Sequence, residues 1–449
     1  MVIPKLPKSM DAKFRIIDRS KPIMIDADFS SALSDDALAR FIVDIVDQLD
    51  TSHIEDTYSH IGNKSYPPKM MLSLLFYSYS QGIFSSRKIE QATSELIPVM
   101  FITHGISPDH SVIARFRKHF GKEIECLFVQ ILEIASSMDV FKLGDISLDG
   151  TKIEANASKN KALSYAYTIK LTKQIEEEIE KLMKASEESD GHDFDDLNIP
   201  DEIKDREDRL HKIKAAKLEI EARRKIKYDQ EKKEYDENQA ERAKKEKELG
   251  RKLGGRKPIE PNPDPKPSDQ VSLTDEESRI MPTGGGFKQA YNAQAAVDMD
   301  SRLIVENHVS QNTNDKKELE PALDKIAQLP ETLGKVKRAA VDSGYNSDSN
   351  KAIAAGHKID LHVPKGRKKH NSFLNDHVDN QALNDRGKER IAFYSKRKST
   401  IEPIFGVIKS VIGFRKFSLR GIDAVSAEWS LVCMAYNLKR LCVLKMKIA

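Results

Sequence analysis

The sequence predicts a mixed α/β protein in which helices flank a single sheet. Between residues 140 and 445, short apolar runs alternate with amphipathic runs in the order β-β-β-α-β-α-β-α. A long, highly charged stretch interrupts this order after the first strand. Chains that alternate in this way build sheets with helices packed on their faces. We therefore expect a sheet whose first strand is separated from the others by an insertion.

Residues 1–130 predict a helical domain. An amphipathic segment, SALSDDALARFIVDIVDQLD, is followed by the short helical runs MMLSLLFYSYSQG, RKIEQATSEL and PDHSVIARFRKHF. Short helices joined by tight turns are typical of helix-turn-helix DNA-binding units. The last run ends with the candidate DNA-contacting residues Arg115, Arg117 and Lys118. A plain helical bundle with a basic solvated face explains the same pattern.

Residues 140–160 should begin the sheet, and residues 161–270 form the insertion. FKLGDISLDGTKIEANAS predicts a strand, a turn at Gly150 and a second extended piece. The insertion holds 15 acidic and 16 basic residues between 201 and 250. Its apolar residues recur at helical spacing, which predicts a long exposed helix pair or a weak coiled coil. An acidic stretch, 186–202, is expected to be disordered, and RKPIEPNPDPKPSDQ is expected to be an extended connector.

Residues 280–449 should complete the sheet and end in helices. AYNAQAAVD and SRLIVENHVS predict a hairpin that turns at Met299 and Asp300. VKRAAVD and KIDLHVPKG predict two more strands, with helices between them and over 395–412 and 423–445.

Charge and cysteine content narrow the class of protein. The net charge is +3, but residues 351–449 hold 20 Lys and Arg against 8 Asp and Glu. Such a basic segment suits a polyanionic partner, although a lysine-rich solvated surface would look the same. Three unpatterned cysteines argue against a disulfide framework and a zinc site. With neither a membrane-spanning run nor a signal peptide recognised, we expect a cytoplasmic protein.

Three acidic residues stand at the ends of predicted elements. Asp149 follows Ile-Ser-Leu and precedes a glycine, Asp342 follows Ala-Ala-Val and precedes Ser-Gly, and Glu402 lies near the start of a helix. Carboxylates that follow apolar strands lie at the rim of a sheet, where α/β proteins bind ligands. Three carboxylates from separate elements can hold two Mg²⁺ ions for phosphodiester cleavage. This pattern predicts a divalent metal site.

Each acidic residue also has a simpler explanation. Asp149 and Asp342 both precede glycine-containing sequences and fit ordinary turn chemistry. Glu402 completes the sequence Ser399-Thr400-Ile401-Glu402, which fits a helix capping box. Spacing alone leaves these alternatives open.

Basic residues surround Glu402 in the sequence. Lys409 lies seven residues after it on a helix whose apolar residues Ile401, Ile404, Ile408 and Val411 should pack on the sheet. The candidate phosphate-contacting residues before and after this helix are Tyr394, Arg397, Lys398, Arg415, Lys416 and Arg420. Phe414 and Phe417 interleave with the last three, a mixture that suits a groove tracking a nucleic-acid backbone.

In combination these motifs resemble the DDE transposases of bacterial insertion sequences, in the group with an InsH-type helical N-terminal domain. The resemblance covers the chain except for the charged insertion. The matching segments are YPPKMMLSLLFYSYSQGIFSSRKIE, PDHSVIARFRK, ISLDGTKIEANASK, YNAQAAVD, AAVDSGYNS, KRKSTIEPIFGVIK, FRKFSLRG and EWSLVCMAYNLKRL.

The resemblance implies an RNase H-like core, with Asp149, Asp342 and Glu402 as the catalytic metal ligands. It also implies Mg²⁺, with Mn²⁺ as a substitute, and strand transfer from the ends of terminal inverted repeats into double-stranded target DNA. Related enzymes carry a Tyr-x2-Arg-x3-Glu-x6-Lys signature. Four residues, not three, separate Arg397 from Glu402, so either the match slips by one position or Lys398 replaces the arginine.

Two other functions remain open from the sequence. The first is a catalytically silent DNA-binding protein or regulator derived from such an element. The second is a coiled-coil scaffold, which leaves the strand-end aspartates and the basic C-terminal segment unexplained. Two active sites acting on two DNA ends would favour a homodimer on DNA, with no role for a membrane.

Overall fold

The computed structural model describes residues 28–58, 65–188, 199–251, 254, 258–364, 389 and 392–448. Residues 189–198, the centre of the predicted disordered acidic stretch, lie outside this set. Among the helices described, none combines the length and the apolar character needed to cross a membrane.

In the described part of the N-terminal region, residues 28–58 and 65–137, seven helices precede the sheet, and the sequence predicts helices here. They are α1 Leu38–Gln48, α2 Ser52–Glu55, α3 Pro68–Ser80, α4 Ser86–Glu95, α5 Ile97–Thr103, α6 His110–His119 and α7 Gly121–Ser137. Helix α3 ends before Gly82, whose φ of 77° is unfavourable for other residues. Asp109 caps α6 by accepting a hydrogen bond from the backbone N–H of Ser111 at 2.7 Å.

Among the described residues, the main sheet has six strands. They are β1 Ile146–Glu154, β4 Arg279–Thr283, β5 Gly286–Asp298, β6 Ile304–Ser310, β7 Arg338–Val341 and β8 Asp360–His362. Their order is β4-β5-β1-β7-β8, and β6 also pairs with β5. Helices α10 Leu319–Ala327 and α11 Asp348–Gly356 lie between the later strands. The predicted order of strands and helices is confirmed, with β4 as an unpredicted addition.

Strand β1 lies between an antiparallel and a parallel neighbour. It pairs with β5 along its whole length, from Ile146 opposite Asp298 to Glu154 opposite Ala290. It pairs in parallel with β7 only as far as Leu148, which lies opposite Val341. Asp149 and Asp342 are therefore the next residues after the last pair of this parallel ladder.

The predicted turn at Gly150 is wrong. Strand β1 continues through Gly150 to Glu154 because β5 supplies a partner for every residue, including Gln294 opposite Gly150. The hairpin between β5 and β6 is confirmed, but its turn spans residues 299–303 rather than two residues. A second small sheet of β2 Ala162–Ser164 and β3 Gln270–Ser272 was not predicted.

The described residues of the charged insertion include two long helices, α8 Tyr165–Glu188 and α9 Ile199–Leu249. Three residues of α8 and three of α9 share a small apolar core with the β2–β3 ladder; they are Leu171, Ile175, Ile179, Ile213, Ala216 and Ile220. Strands β2 and β3 lie at the start and the end of the insertion, and their pairing holds the two ends of this long segment side by side.

One apolar core joins the N-terminal helices, the main sheet and the C-terminal helix α13 Ile422–Ile448. Helix α13 packs against α3, α7 and β6, and its Trp429 is fully buried. The indole Nε1–H of Trp429 donates to the backbone carbonyl of Gln294 at 2.9 Å, which ties the helix to β5. Helix α13 therefore packs between the N-terminal helices and the sheet.

Helix α12, Arg397–Gly406, carries Glu402 and continues into a π-helical turn, Val407–Val411. Ile401, Ile404 and Ile408 are buried as predicted, but Val411 is 69% exposed. The wider π-turn has one more residue between successive positions on a face. The buried position consequently moves from Val411 to Ile412.

Candidate active site

Asp149 and Asp342 lie side by side at the edge where β1 and β7 stop pairing. Neighbouring strands are separated by about 4.8 Å, so the two residues after the last paired positions lie close together. Each carboxylate accepts a hydrogen bond from the next backbone N–H: Asp149 from Gly150 at 2.9 Å and Asp342 from Ser343 at 2.6 Å. Both backbone groups fix the carboxylates at the sheet edge.

Arg397 connects the first and third acidic residues. Its Nη2 donates to Oδ2 of Asp149 at 2.5 Å, and its Nη1 donates to Oε1 of Glu402 at 3.3 Å. The guanidinium is buried, whereas the side chain of Glu402 is 49% exposed. Helix α12 begins at Arg397, so Ser399 and Thr400 lie within the helix and do not cap it. The capping-box explanation of Glu402 is therefore wrong.

Burial changes the acidity of Asp149. Desolvation, helped by the negative charges of Asp342 and Asp315, raises its pKa from 3.8 to about 6. Arg397 and the N–H of Gly150 act in the opposite direction and limit this rise. At neutral pH Asp149 is mainly ionised, in a position where another positive charge would be stabilising.

The three carboxylates form an open arrangement. Within the described residues, one group of three or more possible ligands has all its ligand atoms within 4.8 Å of one another, and it is Glu90, Asp109 and His110 near α6. The oxygens of Asp149, Asp342 and Glu402 therefore span a wider space, with the Arg397 guanidinium between two of them. Two ions about 3.5–4 Å apart need such a span, whereas one ion does not.

A fourth carboxylate, Asp315, lies beneath this edge. Its Oδ1 accepts hydrogen bonds from Asn292 and Gln294 on β5, both at 2.8 Å, and lies 3.3 Å from the Nζ of Lys152 on β1. The amides of Asn292 and Gln294 are fully buried. A buried polar group without a hydrogen-bond partner destabilises the fold, so these hydrogen bonds favour a single arrangement of Asp315, Asn292, Gln294 and Lys152.

Asp315 packs against the glycines that follow the two aspartates. A Cβ at Gly150 would lie 2.0 Å from Nε2 of Gln294 and 2.6 Å from Oδ1 of Asp315. A Cβ at Gly344 would lie 3.8 Å from Oδ2 of Asp315. Gly150 is thus required by close approach, and the turn that the sequence suggested is not its reason. The hydroxyl of buried Tyr345 donates to Oε1 of Gln294 and extends the network to the Asp342 side.

Sequence reasoning missed Asp315, Asn292 and Gln294. Asp315 belongs to a polar loop, QNTNDKK, in which nothing distinguishes it from its neighbours. A signal did exist in β5, because two amides alternate on one face of an otherwise apolar strand, YNAQAAV. Buried polar residues at alternate positions indicate a polar site under the sheet.

Tyr394, Lys398 and Lys409 occupy different places around the carboxylates. Tyr394 is half-buried, and burial raises its pKa while the adjacent Arg397 lowers it. Lys398 is exposed. Lys409 lies in the π-turn and donates to the backbone carbonyl of Lys152 on β1 at 3.1 Å. Arg397, not Lys398, faces the acidic residues.

The basic residues Arg415, Lys416 and Arg420 lie beside the C-terminal end of β1. Arg415 donates to the carbonyl of Lys409 at 2.8 Å, and Arg420 donates to the carbonyl of Asn156 at 3.1 Å. All three side chains are exposed. Phe414 and Phe417 are buried in the core, so they anchor this segment instead of offering rings to nucleic-acid bases.

The three basic residues near the end of α6 separate into two groups. Arg115 and Lys118 are exposed. Arg117 is buried, and its Nη1 donates to the Tyr79 hydroxyl at 2.7 Å. The predicted DNA contact of Arg117 is therefore incompatible with its position.

Arg117 instead belongs to a buried chain of hydrogen bonds. The Tyr79 hydroxyl donates to Oε1 of Glu428 at 3.3 Å, and Oε2 of Glu428 accepts from the backbone N–H groups of Ser418 and Leu419 at 2.9 and 3.0 Å. The N-terminal helices thereby contact the segment that carries Lys416 and Arg420.

Comparison with known proteins finds two family models. Residues 27–119 match a model described as a transposase domain of the DUF772 type, and residues 261–438 match a model described as a transposase DDE domain. Asp342 and Glu402 lie inside the second match, whereas Asp149 lies between the two. No curated protein and no solved structure matches the chain.

Proposed function

Since the chain belongs to the DDE transposases of insertion sequences, we propose that it binds the terminal inverted repeats of its element and cleaves them. The 3′-hydroxyl groups then attack phosphodiesters of double-stranded target DNA, and each new bond to phosphorus displaces a 3′-oxygen of the target strand. Transposition as a general function follows from the family, and the proposal adds the substrate and the chemistry. We place this activity in the bacterial cytoplasm, at the nucleoid.

The observation that carries the proposal is the convergence of the three acidic residues. Asp149 and Asp342 follow the last paired residues of two adjacent parallel strands, and Arg397 joins Asp149 to Glu402 on α12. The alternation of β1, β7 and β8 with helices, and the central place of β1, support an RNase H-like core.

Asp149, Asp342 and Glu402 would hold divalent ions. Their donor set consists of carboxylate oxygens, which suit Mg²⁺ and Mn²⁺ better than softer ions. Bound Mg²⁺ would activate the attacking oxygen and stabilise the leaving oxygen of the phosphodiester. The exposure of Glu402 leaves room for a DNA phosphate beside it.

Other residues of the chain would position the DNA. Arg397 holds Asp149 and Glu402 in a fixed relation. The exposed residues Lys398, Arg415, Lys416 and Arg420, together with the partly buried Lys409, would neutralise backbone phosphates on either side of the reacting bond. Tyr394 beside Arg397 would contact the phosphate nearest the acidic residues.

We assign four regions to this activity. Residues 1–130 would bind the element end through Arg115 and Lys118, residues 140–160 and 280–449 would form the catalytic core, and residues 161–270 form the charged helical insertion. Because each active site processes one DNA end, we propose a homodimer on DNA.

Cleavage of the element's own ends tests the proposal. A duplex that carries the inverted repeat flanking the gene should be cut by the wild-type protein with Mg²⁺. Asp149→Asn, Asp342→Asn and Glu402→Gln should each lose more than the roughly 10–100-fold caused by loss of an outer-shell partner. Asp300→Asn, in the exposed hairpin turn, is the matched control and should cut normally. Wild-type cleavage by the three site variants would refute the assignment.

The alternative function is a silent regulator that binds the ends without cutting them. The same assay separates it from a transposase, because a regulator binds the inverted repeat but shows no metal-dependent cleavage at any Mg²⁺ or Mn²⁺ concentration. The presence of all three acidic residues at one sheet edge favours the active enzyme.

A further inference from the structure

A cavity of about 460 Å³ lies at the far end of β1, outside the acidic site. Five basic side chains and one carboxylate line it, and they are Lys159, Lys161, Lys288, Lys416, Arg420 and Glu154. We call this cavity the β1 groove. Its walls come from the short turn before the insertion, from β5 and from the segment before α13.

The β1 groove carries an excess of positive charge. Its one carboxylate, Glu154, already pairs with Lys288. Within the described part of the chain, Lys159, Lys161, Lys416 and Arg420 form no ion pair with an acidic residue. Four like charges around one cavity repel one another, and an anion placed between them offsets that repulsion.

The groove is held in shape by the backbone. Arg420 donates to the carbonyl of Asn156 at 3.1 Å, and the side-chain amide of Asn156 donates to the carbonyl of Ser418 at 2.7 Å. The backbone of Lys416 forms a parallel bridge to Glu154. The backbone positions of Lys416 and Arg420 are therefore fixed relative to β1 before any ligand binds.

The groove and the acidic site lie along the same strand, β1. Glu154 follows Asp149 by five residues, which corresponds to ~17 Å at about 3.3 Å per residue. Lys409, at the carbonyl of Lys152, and Arg415, at the carbonyl of Lys409, lie between the two. A row of cations thus connects the acidic residues with the groove.

We propose that the β1 groove binds the DNA backbone about five nucleotides from the phosphodiester at the acidic residues, given a rise of about 3.4 Å per nucleotide along a strand. The inference rests on the proposed function for the position of the reacting bond. It assigns Lys159, Lys161 and Lys288 to DNA binding, and none of the three is among the candidate DNA-contacting residues predicted from the sequence. A phosphate-containing polymer fits because it fills the groove and reaches the acidic residues at once.

Charge removal at the groove tests the proposal. Lys159 and Lys161 are exposed residues of a short turn, so Lys159→Gln with Lys161→Gln leaves the core intact. Lys142→Gln with Lys337→Gln is the matched control, because these exposed lysines lie at the opposite end of β1 and β7. Binding to a mixed-sequence DNA duplex is measured by fluorescence anisotropy at several KCl concentrations.

The groove variant should lower the magnitude of the salt dependence, the slope of log K against log[KCl], by about 1.8, at about 0.9 per phosphate contact. The control variant should keep the wild-type slope. Equal slopes for the groove variant and the wild type would overturn the proposal. Binding of inorganic phosphate that leaves DNA affinity unchanged would overturn it too.

The position along the DNA is tested with a neutral methylphosphonate in the inverted-repeat duplex. Placed about five nucleotides from the cleaved bond, as the ~3.4 Å rise predicts, it should weaken binding by the wild type but add no further loss to the groove variant. Equal weakening from every position would contradict the assignment. Cleavage by the wild type separates the two proposals: if the wild type does not cleave while the salt slope still falls in the groove variant, the proposed function fails and the groove stands.

Discussion

The guanidinium of Arg397 donates to Oδ2 of Asp149 at 2.5 Å, from a helix that begins 248 residues later in the chain. The same guanidinium lies 3.3 Å from Glu402. A buried cation between two carboxylates lowers their mutual repulsion and fixes their separation. This contact joins α12 to β1 and determines how the acidic site is assembled.

Arg397→Gln should shift the pH dependence of cleavage upward. Without the guanidinium, the pKa of Asp149 rises above its present value of about 6, so a higher pH is needed to ionise it. A shift of about one unit corresponds to ~1.4 kcal/mol of lost charge stabilisation. The measurement is a pH–rate profile under single-turnover conditions.

Arg397→Lys is the control for this shift. It keeps the charge but loses the two-pronged geometry, so it should restore most of the pH midpoint and only part of the rate. If Arg397→Gln folds normally and retains the wild-type midpoint, Arg397 does not set the ionisation of Asp149.

Stabilisation by Mg²⁺ should depend on pH through Asp149. A carboxyl group with a raised pKa contributes stability below its unfolded pKa of 3.8, and this contribution is lost as the pH rises through about 6. The loss is at most about 3 kcal/mol. Because divalent ions bind the ionised form, Mg²⁺ should raise the melting temperature at pH 8 but hardly at pH 5.

Differential scanning fluorimetry with and without Mg²⁺ measures this dependence. In Asp149→Asn the difference between pH 5 and pH 8 should largely disappear. An equal Mg²⁺ effect at both pH values in the wild type would place the ion away from Asp149.

Gly150→Ala should destabilise the protein and disturb the acidic site. The new Cβ would overlap Nε2 of Gln294, a buried side chain that also binds Asp315 and Tyr345 and cannot move freely. Overpacking of this kind costs about 1–3 kcal/mol. Urea unfolding and cleavage rates measure the two effects.

Gly356→Ala is the matched control, since no heavy atom lies within 4 Å of its Cβ position. It should unfold and cleave like the wild type. A Gly150→Ala protein as stable and as active as this control would show that the close packing around Asp315 is dispensable.

The buried group of Glu306, His308 and Glu318 should make stability fall at alkaline pH. His308 lies 2.8 Å from Glu306 and 3.0 Å from Glu318. Burial alone lowers the pKa of His308, but the two carboxylates raise it to about 9. A raised histidine pKa contributes stability that is complete below 6.5 and is lost as the pH rises through about 9.

His308→Gln should cost about 3–5 kcal/mol, because two buried carboxylates lose their shared cation. Urea unfolding at pH 6.5 and at pH 9.5 checks both effects, with the exposed His211→Gln as control. Wild-type stability that is unchanged over this interval would mean that His308 is neutral in the folded protein. Glu318 also accepts from Asn312 at 2.7 Å, so this group anchors the loop that carries Asp315.

The sequence predicts the main strands and two of the acidic residues for a physical reason. Asp149 and Asp342 each follow an apolar run, and the end of the parallel ladder between β1 and β7 brings them together. The core positions of α12 follow from helical periodicity as far as Ile408. Beyond it, the π-turn shifts the pattern, and nothing in the local sequence VIKSV indicates that shift.

Tertiary packing decides what the sequence could not. The sequence does not distinguish the basic residues Arg115, Arg117 and Lys118 from one another. In the folded protein, only Arg117 of these three lies on the face of α6 that contacts Tyr79 and Glu428. Asp315 reaches the site because the loop after β6 folds back under Gly150. Both outcomes depend on contacts between residues far apart in the chain, which no local spacing encodes.

Manganese located crystallographically tests the central claim most directly. Crystals soaked in MnCl₂ should show anomalous peaks about 2.1 Å from carboxylate oxygens of Asp149, Asp342 and Glu402. In crystals of Asp342→Asn those peaks should weaken or vanish. Strong peaks at Glu90, Asp109 and His110, with none at the edge of β1 and β7, would contradict the account.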